Sequence, residues 1–174
     1  MSTSPDPGLA PDLLSRRPSF RWLVEDPRCL LAYGFGAGLA PVAPGTFGTL
    51  AAVPVYGLMS SLPLATYGAL VAVLFLAGIP ACRHAESRLG RRDPAGVVWD
   101  EMVGYWIAMA LVPFSWNTAA LGFLLFRLFD VLKPWPIGRL ERALRGGLGI
   151  MLDDAVAGGL TAACLAALRA GGGL

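Results

Sequence analysis

Charge is what this 174-residue chain has least of. Only 15% of its residues are Asp, Glu, Lys or Arg, against about 25% in ordinary soluble domains. No charged residue lies between Arg28 and Arg83, and two further uncharged runs cover Met102–Phe126 and Ala155–Leu168. The net charge of +2 is too small to suggest nucleic acid as a partner. Cys29, Cys82 and Cys164 are scattered in apolar context without C-x-x-C spacing, which argues against a disulfide framework or a zinc site and for buried structural thiols. The single histidine, His84, sits in an Arg-containing loop and reads as a solvated bystander. The opening MSTSPDPGLAPDLLSRRPSF has no apolar h-region, so it is not a cleaved signal peptide. It reads as a disordered tail over residues 1–21, leaving 22–174 as a single helical membrane-embedded domain.

What the chain has in abundance is apolar surface: 55% hydrophobic residues and a mean hydropathy of +0.59. A bilayer-spanning helix needs about 20 apolar residues, and Leu62–Cys82 fits best. The expected fold is all-α, a multihelical membrane bundle with about four to five apolar helices, some short or interrupted. Spans at about 46–61, 63–82, 97–113, 117–129 and 150–169 satisfy this. The alternative is a soluble helical domain with a greasy core. The basic residues cluster at Arg16–Arg28, Arg83–Arg92 and Arg127–Arg145. With a cytoplasmic N-terminus, all three clusters fall on the cytoplasmic side, as the positive-inside tendency requires. The uncharged connections Ser60–Pro63 and Pro113–Asn117 then lie outside.

Five acids sit at the mouths of these apolar segments. Asp100 and Glu101 open the third span, Asp130 closes the fourth, and Asp153 and Asp154 open the fifth. A carboxylate costs about 2.5–3.5 kcal/mol at the centre of a membrane helix on insertion scales. Five of them need compensation, most simply from a cation. All five map to the cytoplasmic face, beside Arg127, Lys133 and Arg139. Neighbours on a helix point about 100° apart, so one acid of each adjacent pair is expected to bind metal while the other caps, pairs or orients. Arg127 and Asp130, three apart, share a face. Lys133 precedes Pro134, which ends the segment.

Oxygen ligands without His or Cys partners select hard ions, chiefly Mg²⁺. An acidic cluster beside basic groups at a membrane surface is a good place to process a phosphate, and chemistries other than a metal-activated water fail on inventory: no cysteine is followed six positions later by arginine, and no acid-x-acid opening or His-based lipid-phosphatase signature is present. Gly34–Pro54 (GFGAGLAPVAPGTFGTLAAVP) lacks the G-K-[ST] of a nucleotide P-loop. Its backbone amides, with Gly45 and the hydroxyls of Thr46 and Thr49, could cradle an anion; close helix packing through small residues explains it equally well. Gly146, Gly147 and Gly149 pose the same choice between an amide nest and a tight turn.

The segments GFGAGLAPVAPGTFGTLAAVP, VVWDEMVG, FRLFDVLKPWPIGRLER and GGLGIMLDDAVAG resemble, in order and from about Leu30 to Ala167, the motifs of the bacterial phosphatidylglycerophosphatase A family. The resemblance implies an all-helical inner-membrane enzyme, Mg²⁺-dependent, that removes the terminal phosphate from phosphatidylglycerophosphate to give phosphatidylglycerol. It also implies that Asp100, Glu101, Asp130, Asp153 and Asp154 are the metal and catalytic positions. Charge and placement assign Arg127, Lys133 and Arg139 to the substrate phosphates. The nucleophile is expected to be water with one carboxylate as base, while attack by an aspartate or by Thr46 stays open. The membrane setting also admits a homo-oligomer. Two rivals differ in class: an ion-coupled transporter, whose charges should lie near the midplane, and a non-catalytic membrane scaffold, which predicts no metal dependence.

Overall fold

The computed structural model describes residues 18–134 and 146–173, and every regular element among them is helical. Among these residues seven α-helices follow in order: α1 (Phe20–Val24), α2 (Pro27–Ala32), α3 (Pro44–Met59), α4 (Leu64–Leu89), α5 (Trp99–Ala108), α6 (Trp116–Leu132) and α7 (Gly147–Ala170). A 3₁₀ segment, Gly34–Leu39, joins α2 to α3. The first described helix begins at Phe20; residues 1–17, most of the tail expected over 1–21, lie outside the described residues.

Local chemistry sets the helix ends. Asp26 caps α2, its side chain accepting the Arg28 N–H, and Pro27 supplies the first turn, where a missing N–H costs nothing. Ser115 and Thr118 form a reciprocal capping box on α6. At its other end Lys133 turns left-handed (φ 42°) before Pro134. Gly146, at φ 71°, starts α7. That start corrects one expectation: Asp153 and Asp154 do not open the last helix but lie nearly two turns inside it, because Gly146 and Gly147 allow the helix to begin early. Gly147 sits directly against the Ile79 carbonyl of α4, leaving no room for a side chain.

The short helix α5 is the hub. Its aromatic donors reach carbonyls on the surrounding helices: Trp99 Nε1 donates to Leu74 O of α4 (3.1 Å), Trp106 Nε1 to Ala52 O of α3 (3.0 Å) and Tyr105 Oη to Ala119 O of α6 (3.1 Å). In return Tyr67 Oη of α4 donates to Trp106 O at 2.6 Å. Each bond is worth about 1 kcal/mol net, and together they fix the depth of α5 against three neighbours. Against α7 the contact is backbone to backbone. A Cβ on Gly104 would lie 2.7 Å from the Asp154 carbonyl oxygen, and one on Gly158 would strike the Gly104 carbonyl. This is the close approach that small residues permit between membrane helices.

Large apolar side chains also stand on the outer surface. Val73 and Leu76 of α4 are 61% and 62% exposed, and Leu124 and Val131 of α6 are 64% and 68% exposed. In water such a surface invites aggregation; in a bilayer it is the lipid face. Two helices, α4 and α7, are long and apolar enough to cross a membrane. The uncharged part of α4, Leu64 to Cys82, is 19 residues, or about 28 Å at 1.5 Å per residue, which matches the hydrocarbon thickness of about 30 Å. Of the other expected spans, α5 has ten residues and reaches about 15 Å, so it is one of the short helices.

Candidate active site

Three helices deliver the five acids to one pocket of about 310 Å³: Asp100 and Glu101 from α5, Asp130 from α6, and Asp153 and Asp154 from α7. Asp100, Asp153 and Asp154 are buried. The start of α5 and the early turns of α7 converge here because both pack on the basic end of α4: a Cβ on Gly78 would meet Met151 and Trp99, and one on Gly147 would meet Arg83 N at 2.9 Å. The acids therefore stand toward the end of α4 that carries Arg83, His84 and Arg88.

Basic partners divide the acids. Arg127 Nη1 donates to Glu101 Oε1 at 3.0 Å and to Asp130 Oδ2 at 2.7 Å. Lys133 Nζ lies 3.5 Å from Asp153 Oδ2. Asp154 faces Asp100, Asp130 and Glu101, with the Asp130 carboxyl within hydrogen-bonding reach. One acid of each adjacent pair thus takes a basic partner, Glu101 in the first and Asp153 in the second, while Asp100 and Asp154 confront other carboxylates. With Asp93, which also lines the pocket, six carboxylates against Arg127 and Lys133 leave a surplus of four negative charges (six less two) among the described residues of the pocket.

Two buried carboxylate oxygens, Asp100 Oδ1 and Glu101 Oε2, have no hydrogen-bond donor. An orphaned buried polar atom costs about 1–3 kcal/mol, and more when charged. Surplus charge, orphaned oxygens and an all-oxygen donor set fit a hard divalent cation. The fit is to an open site rather than a closed cage. Among the described residues, the one group of three ligating side chains whose atoms all lie within 4.8 Å of one another is Asp26, Cys29 and His84. No three of the pocket acids bring oxygens that close, so a cation held here would complete its shell with waters or phosphate oxygens, as small hard cations do.

Glycine at position 45 is a steric requirement. Gly45 lies in the first turn of α3, and a Cβ there would overlap the Glu101 carboxylate; one on Gly48 would stand 3.3 Å from Glu101 Oε2. Pro44 is held at the pocket edge by Ala43, a left-handed cap at φ 46°. The glycine-rich stretch thus works here through close approach: Gly38 also meets the Gly96 backbone. Thr46 and Thr49 do not line the pocket. Thr49 is fully buried and donates to Gly45 O at 2.9 Å, and the Thr46 N–H donates to Ala43 O. Arg139 lies outside the described residues.

Sequence reasoning missed Asp93, a further pocket acid in the α4–α5 loop. Its left-handed backbone (φ 45°) has no signature in a Pro- and Gly-rich loop. His84 also needs correction. It belongs to α4, not to a loop, and is no solvated bystander: its Nε2 lies 2.6 Å from Asp26 Oδ2, which also accepts from Arg88 Nη1 at 3.0 Å. Burial opposes ionisation of Asp26, but the bonds from His84, the Arg28 amide and Arg88 outweigh it and hold the carboxyl down at about 2. The cluster is a staple between the start of α2 and the end of α4. Cys29 and Cys82 are buried free thiols as expected, while Cys164 is half-buried.

Comparison with known proteins places this geometry in context. The family described as phosphatidylglycerophosphatase A matches residues 30–169. An Escherichia coli (strain K12) protein named phosphatidylglycerophosphatase A is 42% identical over 146 residues, covering 83% of this chain and 85% of the relative. A Haemophilus influenzae protein of the same name is 42% identical over 135 residues, 76% of this chain and 82% of the relative. A Bacteroides thetaiotaomicron protein, provisionally named a phosphatidylinositol-3-phosphatase, is 41% identical over 152 residues, 82% and 90% of the two chains. No solved structure matches the chain.

Proposed function

The chain belongs to the phosphatidylglycerophosphatase A family, and from that premise we propose that it hydrolyses the terminal phosphate of phosphatidylglycerophosphate, using Mg²⁺ held by the pocket acids at the cytoplasmic face of the inner membrane. The observation that carries this reading is the convergence of five carboxylates with Arg127 and Lys133 on one pocket at the basic end of α4. A transporter would need its acids near the midplane, and a scaffold has no use for buried orphaned carboxylate oxygens.

A phosphomonoester carries nearly two negative charges near neutral pH, so the pocket as built repels its own substrate. Asp100, Asp154, Asp130 and Glu101 would hold the cation; when bound, it offsets their surplus charge and polarises a phosphoryl oxygen. The chain's own residues do the rest. Arg127 fixes Glu101 and Asp130 from one nitrogen, and its remaining N–H groups are suited to a phosphate oxygen. Lys133 orients Asp153 and adds a point charge at the rim. One carboxylate of the pocket serves as the base that takes a proton from an attacking water. Gly45 keeps the wall of α3 low enough for the carboxylates and the phosphate to share the pocket. Positioning and charge stabilisation supply most of the catalysis in such a transfer.

The test is phosphate release from phosphatidylglycerophosphate in detergent micelles by the purified protein and by its Asp100→Asn variant. Turnover by the parent, lost in the variant with insertion and helix content kept, supports the assignment. Equal turnover by both removes Asp100 from the site.

A further inference from the structure

A second concavity, of about 380 Å³, adjoins the acidic pocket and shares Pro44, Asp93 and Ala95 with it. Its character is different. Arg91 and Arg92 line it, together with Tyr33 and the backbone of the 3₁₀ segment. Nothing in the hydrolysis of a phosphomonoester uses this basic chamber.

The loop that forms it is built to hold one shape. Gly90 ends α4 left-handed (φ 59°), and Asp93 is left-handed in turn (φ 45°). The Asp93 N–H is directed at Glu86 Oε1, 3.4 Å away. Gly96 then packs on the Tyr33 ring and the Gly38 carbonyl, contacts that exclude any side chain. A non-glycine residue held left-handed costs about 1–3 kcal/mol and persists only where its surroundings enforce it. Here the enforced residue is the partition between an acidic and a basic chamber.

Phosphatidylglycerophosphate has a matching polarity. Its head carries two phosphates, a monoester to be cleaved and a diester that joins the lipid, separated by a three-carbon glycerol. The monoester needs a cation between itself and the acids; the diester needs cationic donors and no metal. Taking the proposed hydrolysis as its basis, we infer that the Arg91–Arg92 chamber is the subsite for the diester phosphate, and that it selects lipids whose head bears two phosphates. Both arginines hold interactions within the protein, yet a guanidinium has five N–H donors, so a phosphate oxygen can be added to an existing bond. Asp93 stands between the chambers, where the glycerol would cross.

The plainer role for two arginines at a cytoplasmic helix end is attraction to anionic lipid in general. Soluble competitors separate the two, because they carry no acyl chains. Hydrolysis of phosphatidylglycerophosphate in neutral detergent micelles is measured for the parent and for an Arg91→Ala/Arg92→Ala variant, with glycerol bisphosphate or glycerol monophosphate as inhibitor. The parent should be inhibited about tenfold more strongly by the bisphosphate, as expected for one charge-assisted contact. The variant should be inhibited equally by both, and its KM for the lipid should rise about tenfold with kcat within twofold. An Arg91→Lys/Arg92→Lys variant should recover part of the preference. A parent without preference, a variant that keeps it, or a fall in kcat alone overturns the subsite. A parent that releases no phosphate from the lipid overturns the proposed function instead.

Discussion

Replacing Gly45 by alanine sets two effects of opposite sign against each other. Gly45 lies in the first turn of a regular helix, and glycine there is worse than alanine by about 0.5–1 kcal/mol. On helix propensity alone, Gly45→Ala stabilises the protein. The new methyl, however, would occupy the volume of the Glu101 carboxylate. Glu101 cannot swing aside without cost, because Arg127 holds its Oε1 at 3.0 Å. The carboxylate must retreat by more than about 1 Å, and a misplacement of that size in a catalytic site costs about 100-fold in rate, or about 2.7 kcal/mol of barrier. The expected result is a protein that melts within a few degrees of the parent in micelles but releases phosphate about 100-fold more slowly. Activity within threefold of the parent would show that Glu101 has no fixed role, and the packing argument for the glycine would fail with it.

Asp154→Asn should abolish turnover without lowering thermal stability in the absence of metal, since it removes one of a set of mutually repelling carboxylates; clear destabilisation would mean that the charge is satisfied within the protein. Arg127→Lys should cost about 10- to 100-fold in kcat, because a lysine ammonium cannot reproduce the guanidinium that joins Glu101 to Asp130; parent-like kinetics would reduce Arg127 to a replaceable positive charge. The Asp26 staple gives a pH signature away from the pocket. A carboxyl held at about 2, against about 3.9 for a free Asp, contributes stability that is complete above pH 4 and is lost as pH falls toward 2. His84→Ala removes one partner, so acid unfolding followed by tryptophan fluorescence should begin at higher pH while turnover at neutral pH stays unchanged. An unmoved acid transition would show that His84 contributes nothing to Asp26.

Much of the site was legible because its residues carry their meaning locally. Asp100, Glu101, Asp130, Asp153 and Asp154 stand out in a chain otherwise poor in charge, and the three-residue spacing of Arg127 and Asp130 puts both on one helix face. The helices of the bundle follow from uncharged runs bounded by Pro, Gly and Ser. What was hidden depends on partners far away in the chain. The need for glycine at 45 comes from Glu101, 56 positions later (101 less 45). His84 looked idle because Asp26, its partner, lies 58 residues earlier. Asp93 sits in a loop whose left-handed turn no periodicity announces. The start of α7 is not announced by its acids, because Gly146 and Gly147 let the helix begin earlier, against the α4 backbone. The Gly34–Pro54 stretch left cradle and close packing evenly matched; the contacts at Gly38, Gly45 and Gly48 favour packing.

The central claim is that these carboxylates hold a divalent ion against a lipid phosphate. Its most direct measurement is phosphate release from phosphatidylglycerophosphate by purified protein after exhaustive chelation and again after Mg²⁺ is restored. The account requires activity to vanish with the metal and return with it. Undiminished release from the chelated enzyme would contradict it.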